Sequence, residues 1–545
     1  MRIHWKRRLA LGVATAWALI AAQPGWAAGH DDLVTLFRDF RAIVPPKIVD
    51  GVPDYSEPAI AQRRAALVPL YDRLRAMDDS TWPIADRVDY MLVLAEMRGM
   101  EFEARVVQPW KRDPAFYSTT DLGFGPKMST AMALPTLPLA ADKVAPFAAQ
   151  LRAVPAVLAQ AKLNLTDARG DLARLAIVQK KIELNVYRHM AEDAKKANPP
   201  LVKPALAAAA ATADFIAWLE QRLPFMPAHG GIGKDDYNWY LHNVMLFPYD
   251  WDGMKAIAER EYQRSMSFLK IEEHRNRNAA PMPAPIASIG QFMAARGAAD
   301  TEMLAWLRDQ GIMTVPDWLK HDPAEGPYIL PGDLDPDRAD QAYPPPKPNF
   351  FQQAENRDPR PLRAHNLPGH QFDQMQAARD TRPIRGSKRL YFIDGARAEG
   401  WAFYMEELIL QAGMLDDRPR AREIDYILEA KRAARVLPEL MLQANRWTYA
   451  EALASLTSRA PYWMQPDDSI ARFDIELYLR QPGYGIGYQM GKVELEKLLG
   501  EVGAAEGRDF DLKRFHDRFR AAGMIPISLI RWEMTGKDDE IATMR

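Results

Sequence analysis

Residues 397–406 have the sequence RAEGWAFYME, and this stretch predicts a buried helix rich in aromatic side chains. It also carries Glu399 and Glu406, which are seven positions apart and therefore lie on nearly the same helix face. A buried carboxylate needs a cation, so the helix predicts either a metal site or a network of ion pairs with arginines. The arginines considered for such a network are Arg385, Arg389 and Arg397.

Helical periodicity continues outward from this stretch through most of the chain. Apolar residues recur at intervals of three and four, with Arg, Lys and Glu between them, which predicts amphipathic helices. The clearest segments are Ile60–Arg75, Val88–Ala104, Ala140–Leu163, Asp171–Ala197 and Pro204–Leu223. The predicted fold class is mainly α, a large multi-helix fold with an N-terminal helix bundle and little β structure.

Glycine and proline divide this helical pattern. The run Gly230–Gly233 interrupts it and predicts a boundary near residue 230, between an N-terminal helical lobe over residues 28–230 and a C-terminal lobe over residues 231–545. Proline is dense between Ala279 and Arg363, which disfavours long helices and predicts extended or turn structure. That region is either a substrate-lining loop or a surface connection.

The composition excludes several classes of function. The 545 residues carry a formal net charge of −2, so there is no basic surface of the kind that binds nucleic acid. The chain has no cysteine, which excludes thiol catalysis, disulfides and thiolate ligands. Any metal must therefore be held by His, Asp or Glu. No Gly-x-Ser-x-Gly elbow, phosphate-binding loop or dinucleotide fingerprint is present.

Residues 1–27 have the pattern of a cleaved signal peptide. Basic residues precede the apolar run Leu9–Ala22, and Gly25 and Ala27 are small residues at the positions that a signal peptidase recognises. The adjacent pair Arg7–Arg8 leaves both Sec and twin-arginine export open. We expect a periplasmic or secreted protein, with no later apolar stretch long enough to span a membrane.

Residues 363–370 have the sequence RAHNLPGH, which places His365 and His370 five positions apart. On a regular α-helix such residues point about 140° apart and cannot share a metal. They can share one if the helix gains a residue as a π-bulge, or if it begins near Leu367 and leaves His365 on the preceding loop. Zinc commonly takes two histidines and a carboxylate, so Glu399 is the third candidate ligand. The alternative is two unrelated polar residues at a helix start.

Three stretches of the chain resemble, in order, the motifs of the bacterial domain of unknown function 885 family. That family is similar to zinc metallopeptidases of the glutamate-liganded (gluzincin) kind. Its motifs are His-Glu-x-x-Pro-Gly-His-His, Glu-Gly-Trp-Ala-x-Tyr-x-Glu and Pro-Gly-x-x-x-x-Tyr-x-x-Gly. The matching residues are Pro368–His370, Glu399–Glu406 and Pro482–Gly491. The resemblance implies a metallopeptidase-like fold, a zinc cofactor and a peptide or other small substrate.

The first motif departs from the family pattern. Aligned on Pro-Gly-His without a gap, the family's His-Glu falls on Ala364 and His365, which removes one ligand and puts His365 in the position of the general base. With a one-residue deletion, His365 stays a ligand and Asn366 takes the position of the glutamate. That second spacing is similar to the His-Glu-x-x-x-His of dipeptidyl peptidase three. In both alignments the glutamate is missing, and asparagine cannot accept a proton at neutral pH.

Other residues are candidates to replace that glutamate. Asp373 follows His370 by three positions and lies on the same face of a regular helix, so it is a candidate ligand or base; Glu406 is another candidate base. By the family match, Tyr488 is a candidate hydrogen-bond donor to a developing oxyanion. Alternatively, Tyr488 is a core residue beside a tight helix contact, because glycine recurs every four positions at Gly483, Gly487 and Gly491.

Two hypotheses follow from these residues. The first is an exported metallopeptidase-like hydrolase with zinc held by His370, Glu399 and either His365 or Asp373. Its candidate catalytic positions are His365, Asn366, Glu406 and Tyr488. The second is a catalytically inactive descendant that keeps the cleft and binds peptides or a partner in the cell envelope.

Overall fold

The computed structural model describes residues 29–122, 126–323, 325 and 347–544. The predicted signal peptide and the proline-rich residues Pro331 and Tyr343–Pro346 lie outside this range. The described part is mainly helical, which confirms the predicted fold class. Its sheet structure is a two-stranded antiparallel pair, β1 (Ile48–Val49) and β2 (Val52–Pro53).

The five predicted N-terminal helices are confirmed to within four residues at each end. Three of them pack against one another and bury Leu151, Tyr187 and Phe215 in a common core. The elements of this part are α1 (His30–Ile43), α2 (Glu57–Arg75), α3 (Ile84–Phe102), a first π-helix (Glu103–Val107), α4 (Pro109–Arg112), α5 (Ala141–Asn164), α6 (Gly170–Ala197) and α7 (Val202–Arg222).

The second half of the chain is also helical and contains the predicted motifs. A large core joins α1 and α3 to helices of this half through residues such as Leu92, Ile409 and Leu495. The boundary near residue 230 stays a prediction. The elements are α8 (Lys234–Asn243), α9 (Trp251–Arg275), α10 (Ile289–Asp309), α11 (Phe350–Glu355), α12 (Arg360–Ala364), a second π-helix (His365–Gln371), α13 (Phe372–Ala377), α14 (Gly395–Gln411), α15 (Pro419–Ala434), α16 (Val436–Gln443), α17 (Tyr449–Arg459), α18 (Ser469–Arg480), α19 (Tyr484–Glu506), α20 (Leu512–Ala521) and α21 (Ile527–Thr535).

The proline-rich region contains a long helix, α10, so the prediction of extended or turn structure is wrong for residues 289–309. The prolines lie on either side of this segment, the nearest being Pro285 and Pro316, and none falls inside it. The helix begins where the Ser288 side chain accepts a hydrogen bond from the backbone N–H of Gln291. Proline density over a region therefore does not exclude a helix in a proline-free part of it.

Helices α14 and α19 pack closely along each other, and glycine makes this approach possible. A Cβ on Gly400 would lie 2.5 Å from the Cα of Gly491 and 2.8 Å from the backbone nitrogen of Lys492. The predicted side-chain-free face is confirmed at Gly487 and Gly491, which both lie against Ala396. This contact brings the acidic residues of α14 beside the tyrosines of α19.

One segment of the described chain, Pro199–Phe225, is long and apolar enough to cross a membrane by length and composition, contrary to the expectation from the sequence. It contains α7, which contacts α5 and α6. Ala205, Phe215 and Leu219 of this helix are fully buried in the N-terminal core. We therefore assign the segment to that core.

Candidate metal centre

A π-helix brings His365 and His370 together. Both lie within the second π-helix, in which backbone hydrogen bonds join residues five apart. Residues five apart in a π-helix therefore lie on the same face, as residues four apart do in an α-helix. Pro368 lies inside this turn, and its carbonyl accepts a hydrogen bond from the indole N–H of Trp401, 3.0 Å away. Of the two arrangements considered from the sequence, the structure has the π-helix.

Three potential ligand atoms converge between this π-helix and α14. The Nε2 atoms of His365 and His370 are 3.0 Å apart. The Glu399 Oε2 atom lies 3.2 Å from the His370 nitrogen and 3.6 Å from the His365 nitrogen. Ligands at about 2.1 Å from a tetrahedral zinc are separated by about 3.4 Å, so these spacings fit a shared ion. We call His365, His370 and Glu399 the triad.

Two of the three groups in the triad have the charge that a metal ligand needs. Burial and the charge of Arg432 hold the pKa of His365 well below its usual value, so this imidazole is neutral at pH 7. Burial alone would raise the pKa of Glu399, but the charge and hydrogen bond of His370, with smaller contributions from His365 and Tyr484, lower it to about 2. The same carboxylate, against the effect of burial, raises the pKa of His370, so a metal ion would have to displace the proton on this imidazole. The Oε2 atom of this carboxylate is buried and lacks a well-directed hydrogen bond. A buried charged oxygen left in this state calls for a cation.

Side chains behind the triad fix its orientation. Glu406 Oε1 lies 2.8 Å from Nδ1 of His365, close enough for an ion pair but without the alignment of a hydrogen bond, and the Nε2 atom faces the other two ligands. Both Glu406 oxygens also contact Arg432, with 2.9 Å between Oε2 and Nε. On the other side, Tyr484 donates a hydrogen bond of 2.9 Å to Glu399 Oε1. Glu406 is fully buried and lies behind the cavity wall. This location suits a residue that positions His365 and does not suit proton transfer to a substrate in the cavity.

Asp373, a candidate ligand from the sequence, lies apart from the triad. Its carboxylate forms a two-point ion pair with Arg397, with distances of 2.8 and 3.1 Å, and lies 3.7 Å from Arg520. The expectation assumed a regular helix through His370. The extra residue of the π-helix, which ends at Gln371, changes which side chains share a face and turns Asp373 toward Arg397.

The arginines considered as partners of Glu399 and Glu406 are paired elsewhere. Arg432 on α15, which the sequence did not single out, is the partner of Glu406. The other pairs are Arg385 with Asp89, Arg389 with Glu96, and Arg397 with Asp373. The polar contacts of the Glu399 carboxylate are therefore with the two histidines and Tyr484.

The triad forms part of the wall of a cavity of about 420 Å³, a volume typical of small-molecule sites. Asn366 and Tyr488 also line it, and the ring of Tyr488 lies nearly parallel to that of His365 at 6.1 Å. Sequence reasoning missed several lining residues, because nothing in their spacing links them to the motifs. They are Phe351, Glu355, Arg432, Arg435, Phe473 and Asp474.

The motifs and the triad lie within a segment that matches a known family. Residues 311–534 match the DUF885 family model. Its description is "Bacterial protein of unknown function (DUF885)". The matched segment contains the second π-helix, α14 and α19, and so includes each residue of the triad. No curated protein matches the chain significantly.

The fold has relatives among solved structures. A candidate lipoprotein of unknown function from Shewanella oneidensis is similar with a TM-score of 0.69 and 17% identity, over 93% of this chain and 100% of that one. A candidate lipoprotein from Colwellia psychrerythraea is similar with a TM-score of 0.66 and 16% identity, over 94% of this chain and 100% of that one. At these identities the likeness extends to the fold alone.

Proposed function

We propose that this chain is an exported metal-dependent hydrolase that acts on peptides or other small substrates, with zinc held by the triad. The observation that supports it most directly is the convergence of two imidazole nitrogens and one carboxylate oxygen within 3.6 Å of one another at a cavity. This donor set is common in hydrolytic zinc sites and leaves a position open for water or substrate. The resemblance of the motifs to those of gluzincin-type metallopeptidases supports the same proposal.

The residues around the triad have distinct roles in this proposal. When bound, a zinc ion supplies a Lewis acid for a carbonyl oxygen and a water of lowered pKa. Glu406 lies against Nδ1 of His365 and favours the tautomer with a proton there, and Tyr484 holds the Glu399 carboxylate by a hydrogen bond. Burial raises the pKa of Tyr488 far above its usual value, so its phenol stays protonated and can donate a hydrogen bond to a developing oxyanion.

A proton acceptor is still needed, and we propose Glu355 of α11 for it. Glu355 lines the same cavity, and its nearest ion-pair partner in the described structure, Arg296, is 4.0 Å away. Burial raises the pKa of this carboxyl, which brings it closer to the operating pH that a general base requires. Asn366 also lines the cavity but has no group that accepts a proton at neutral pH.

Export is proposed from the signal-peptide pattern of residues 1–27. The description of both similar solved structures as candidate lipoproteins is compatible with a location in the cell envelope. We therefore place the protein in the periplasm or outside the cell.

Metal analysis of protein purified without a histidine tag tests the proposed hydrolase. We expect one zinc per chain and loss of peptide hydrolysis on chelation, with recovery when zinc is restored. No stoichiometric zinc, together with hydrolysis that chelators do not affect, would contradict the proposal. The absence of the motif glutamate favours a second candidate, an inactive protein that binds peptides in the same cavity; binding of peptides without turnover would support it.

Replacing Glu406 with glutamine is expected to weaken zinc binding by about 10- to 100-fold, because the carboxylate no longer orients His365. Competition with a chromophoric chelator measures the affinity. Glu407→Gln is the matched control, since Glu407 is the next residue on α14, is similarly buried, and pairs with Arg264 and Lys492 away from the triad. Equal zinc affinity in Glu406→Gln and the wild type would contradict this role.

Replacing Glu355 with glutamine is expected to lower kcat by about 10²- to 10⁴-fold while zinc content stays unchanged, because only the proton acceptor is removed. Steady-state kinetics over a range of pH measures the effect. The control is Gln374→Ala, which changes a cavity residue that has no role in the proposal and is expected to leave kcat near the wild-type value. Wild-type rates in Glu355→Gln would exclude Glu355 as the base.

A further inference from the structure

Arg435, at the junction of α15 and α16, has an unsatisfied donor in the cavity wall. Its Nε and Nη2 atoms donate to the two oxygens of Asp474, at 3.1 and 3.2 Å. Its Nη1 atom is buried and has no hydrogen-bond partner in the part of the chain that the structure describes. Leaving a buried donor unpaired is unfavourable, and more so when the group is charged. A group in this state in a cavity wall calls for a ligand.

The carboxylate that pairs with Arg435 also pairs with a second cation. Asp474 is shared, because Lys431 also donates to it at 2.5 Å. Of the other carboxylates near this wall, Glu406 pairs with Arg432, and Glu399 belongs to the triad. Arg435 therefore shares one carboxylate and keeps one donor free.

Arg435 is also close to the triad. The centre of its guanidinium lies 4.3 Å from the centre of the Tyr488 ring, and that ring lies nearly parallel to the His365 imidazole at 6.1 Å. The Tyr488 ring thus lies between Arg435 and the proposed zinc ligand His365, and a ligand group bound to Arg435 would lie close to the triad.

We propose that Arg435 binds a carboxylate of the substrate, so that the protein acts on short peptides or N-acyl amino acids with a free carboxylate beside the bond that is broken. This inference rests on the proposed hydrolase function. A guanidinium donor and a carboxylate form a strong charge-assisted hydrogen bond. Phe351 and Phe473 line the same cavity and suit an apolar side chain on the residue that bears the carboxylate.

Three N-acetylated tripeptides of otherwise identical sequence test the proposal on the full-length protein. One ends in phenylalanine with a free carboxylate, the second in phenylalanine amide, and the third in glutamate amide. Calorimetry measures binding, and chromatography measures hydrolysis. We expect the free acid to bind at least about tenfold more tightly than the phenylalanine amide, as a hydrogen bond to a charged group predicts. Tighter binding of the glutamate amide than of the phenylalanine amide also supports a carboxylate site. In that case the site binds the side-chain carboxylate of the substrate.

Arg435→Gln is expected to remove this preference while zinc content and affinity for the phenylalanine amide stay unchanged. Equal wild-type binding of all three peptides would overturn the proposal, and this comparison needs no variant to fold. Hydrolysis without a preference for the free acid contradicts the carboxylate site and leaves the hydrolase standing. Selective binding of the free acid without hydrolysis contradicts the hydrolase and leaves the carboxylate site standing.

Discussion

Glu399→Ala is expected to lose zinc and, with it, hydrolysis of peptides. Glu399 supplies the carboxylate oxygen of the triad, and its removal leaves two imidazole nitrogens where hydrolytic zinc sites use three protein ligands. Loss of a group that merely orients a ligand costs about 10- to 100-fold in metal affinity, so loss of the ligand itself should cost more than about 100-fold. Zinc content after dialysis and the affinity from chelator competition measure this effect.

Asp373→Asn is the control for the loss of a buried carboxylate near the triad. It removes the partner of Arg397, and breaking such a buried pair costs about 3–5 kcal/mol of unfolding free energy. We expect the folded fraction of this variant to retain one zinc per chain, because Asp373 does not face the triad. Retention of zinc in Glu399→Ala, or its loss from folded Asp373→Asn, would contradict the assignment of ligands.

Gly400→Ala is expected to lower the free energy of unfolding by at least about 3 kcal/mol, at the upper end of the cost of overpacking a core. The added methyl would meet backbone atoms of Gly491 and Lys492, which cannot move aside as a flexible side chain can. Relief requires α14 to move away from α19, and this movement would separate Glu399 from Tyr484. Urea denaturation followed by circular dichroism measures the stability, and zinc affinity should fall in parallel.

Gly500→Ala is the matched control for that substitution. Gly500 lies on α19, and no atom outside the helix lies within 4 Å of a Cβ placed there. Alanine should therefore stabilise the protein by up to about 1 kcal/mol through its greater helix propensity. Similar stability changes for Gly400→Ala and Gly500→Ala would show that the α14–α19 contact is not tightly packed.

The sequence predicted much of the helical architecture because helix periodicity is a local property. The segments around Leu67, Leu151 and Phe215 each have apolar residues on one face, and each forms the predicted helix. The prolines around α10 wrongly predicted extended structure there, because they lie on both sides of a proline-free segment long enough to form a helix. The glycine face of α19 was predicted from spacing alone, since residues four apart on a helix lie together.

The sequence also named the residues of the triad, because His365, His370 and Glu399 stand in motifs whose residue types suit zinc. It left open whether the two histidines share a face, since that depends on a π-helix whose Pro368 carbonyl accepts a hydrogen bond from Trp401, far along the chain. Only the tertiary structure decided that Asp373 pairs with Arg397. Likewise, it alone placed Glu355 and Arg435 at the cavity, because helices far apart in sequence converge there and no local pattern records which of their side chains meet.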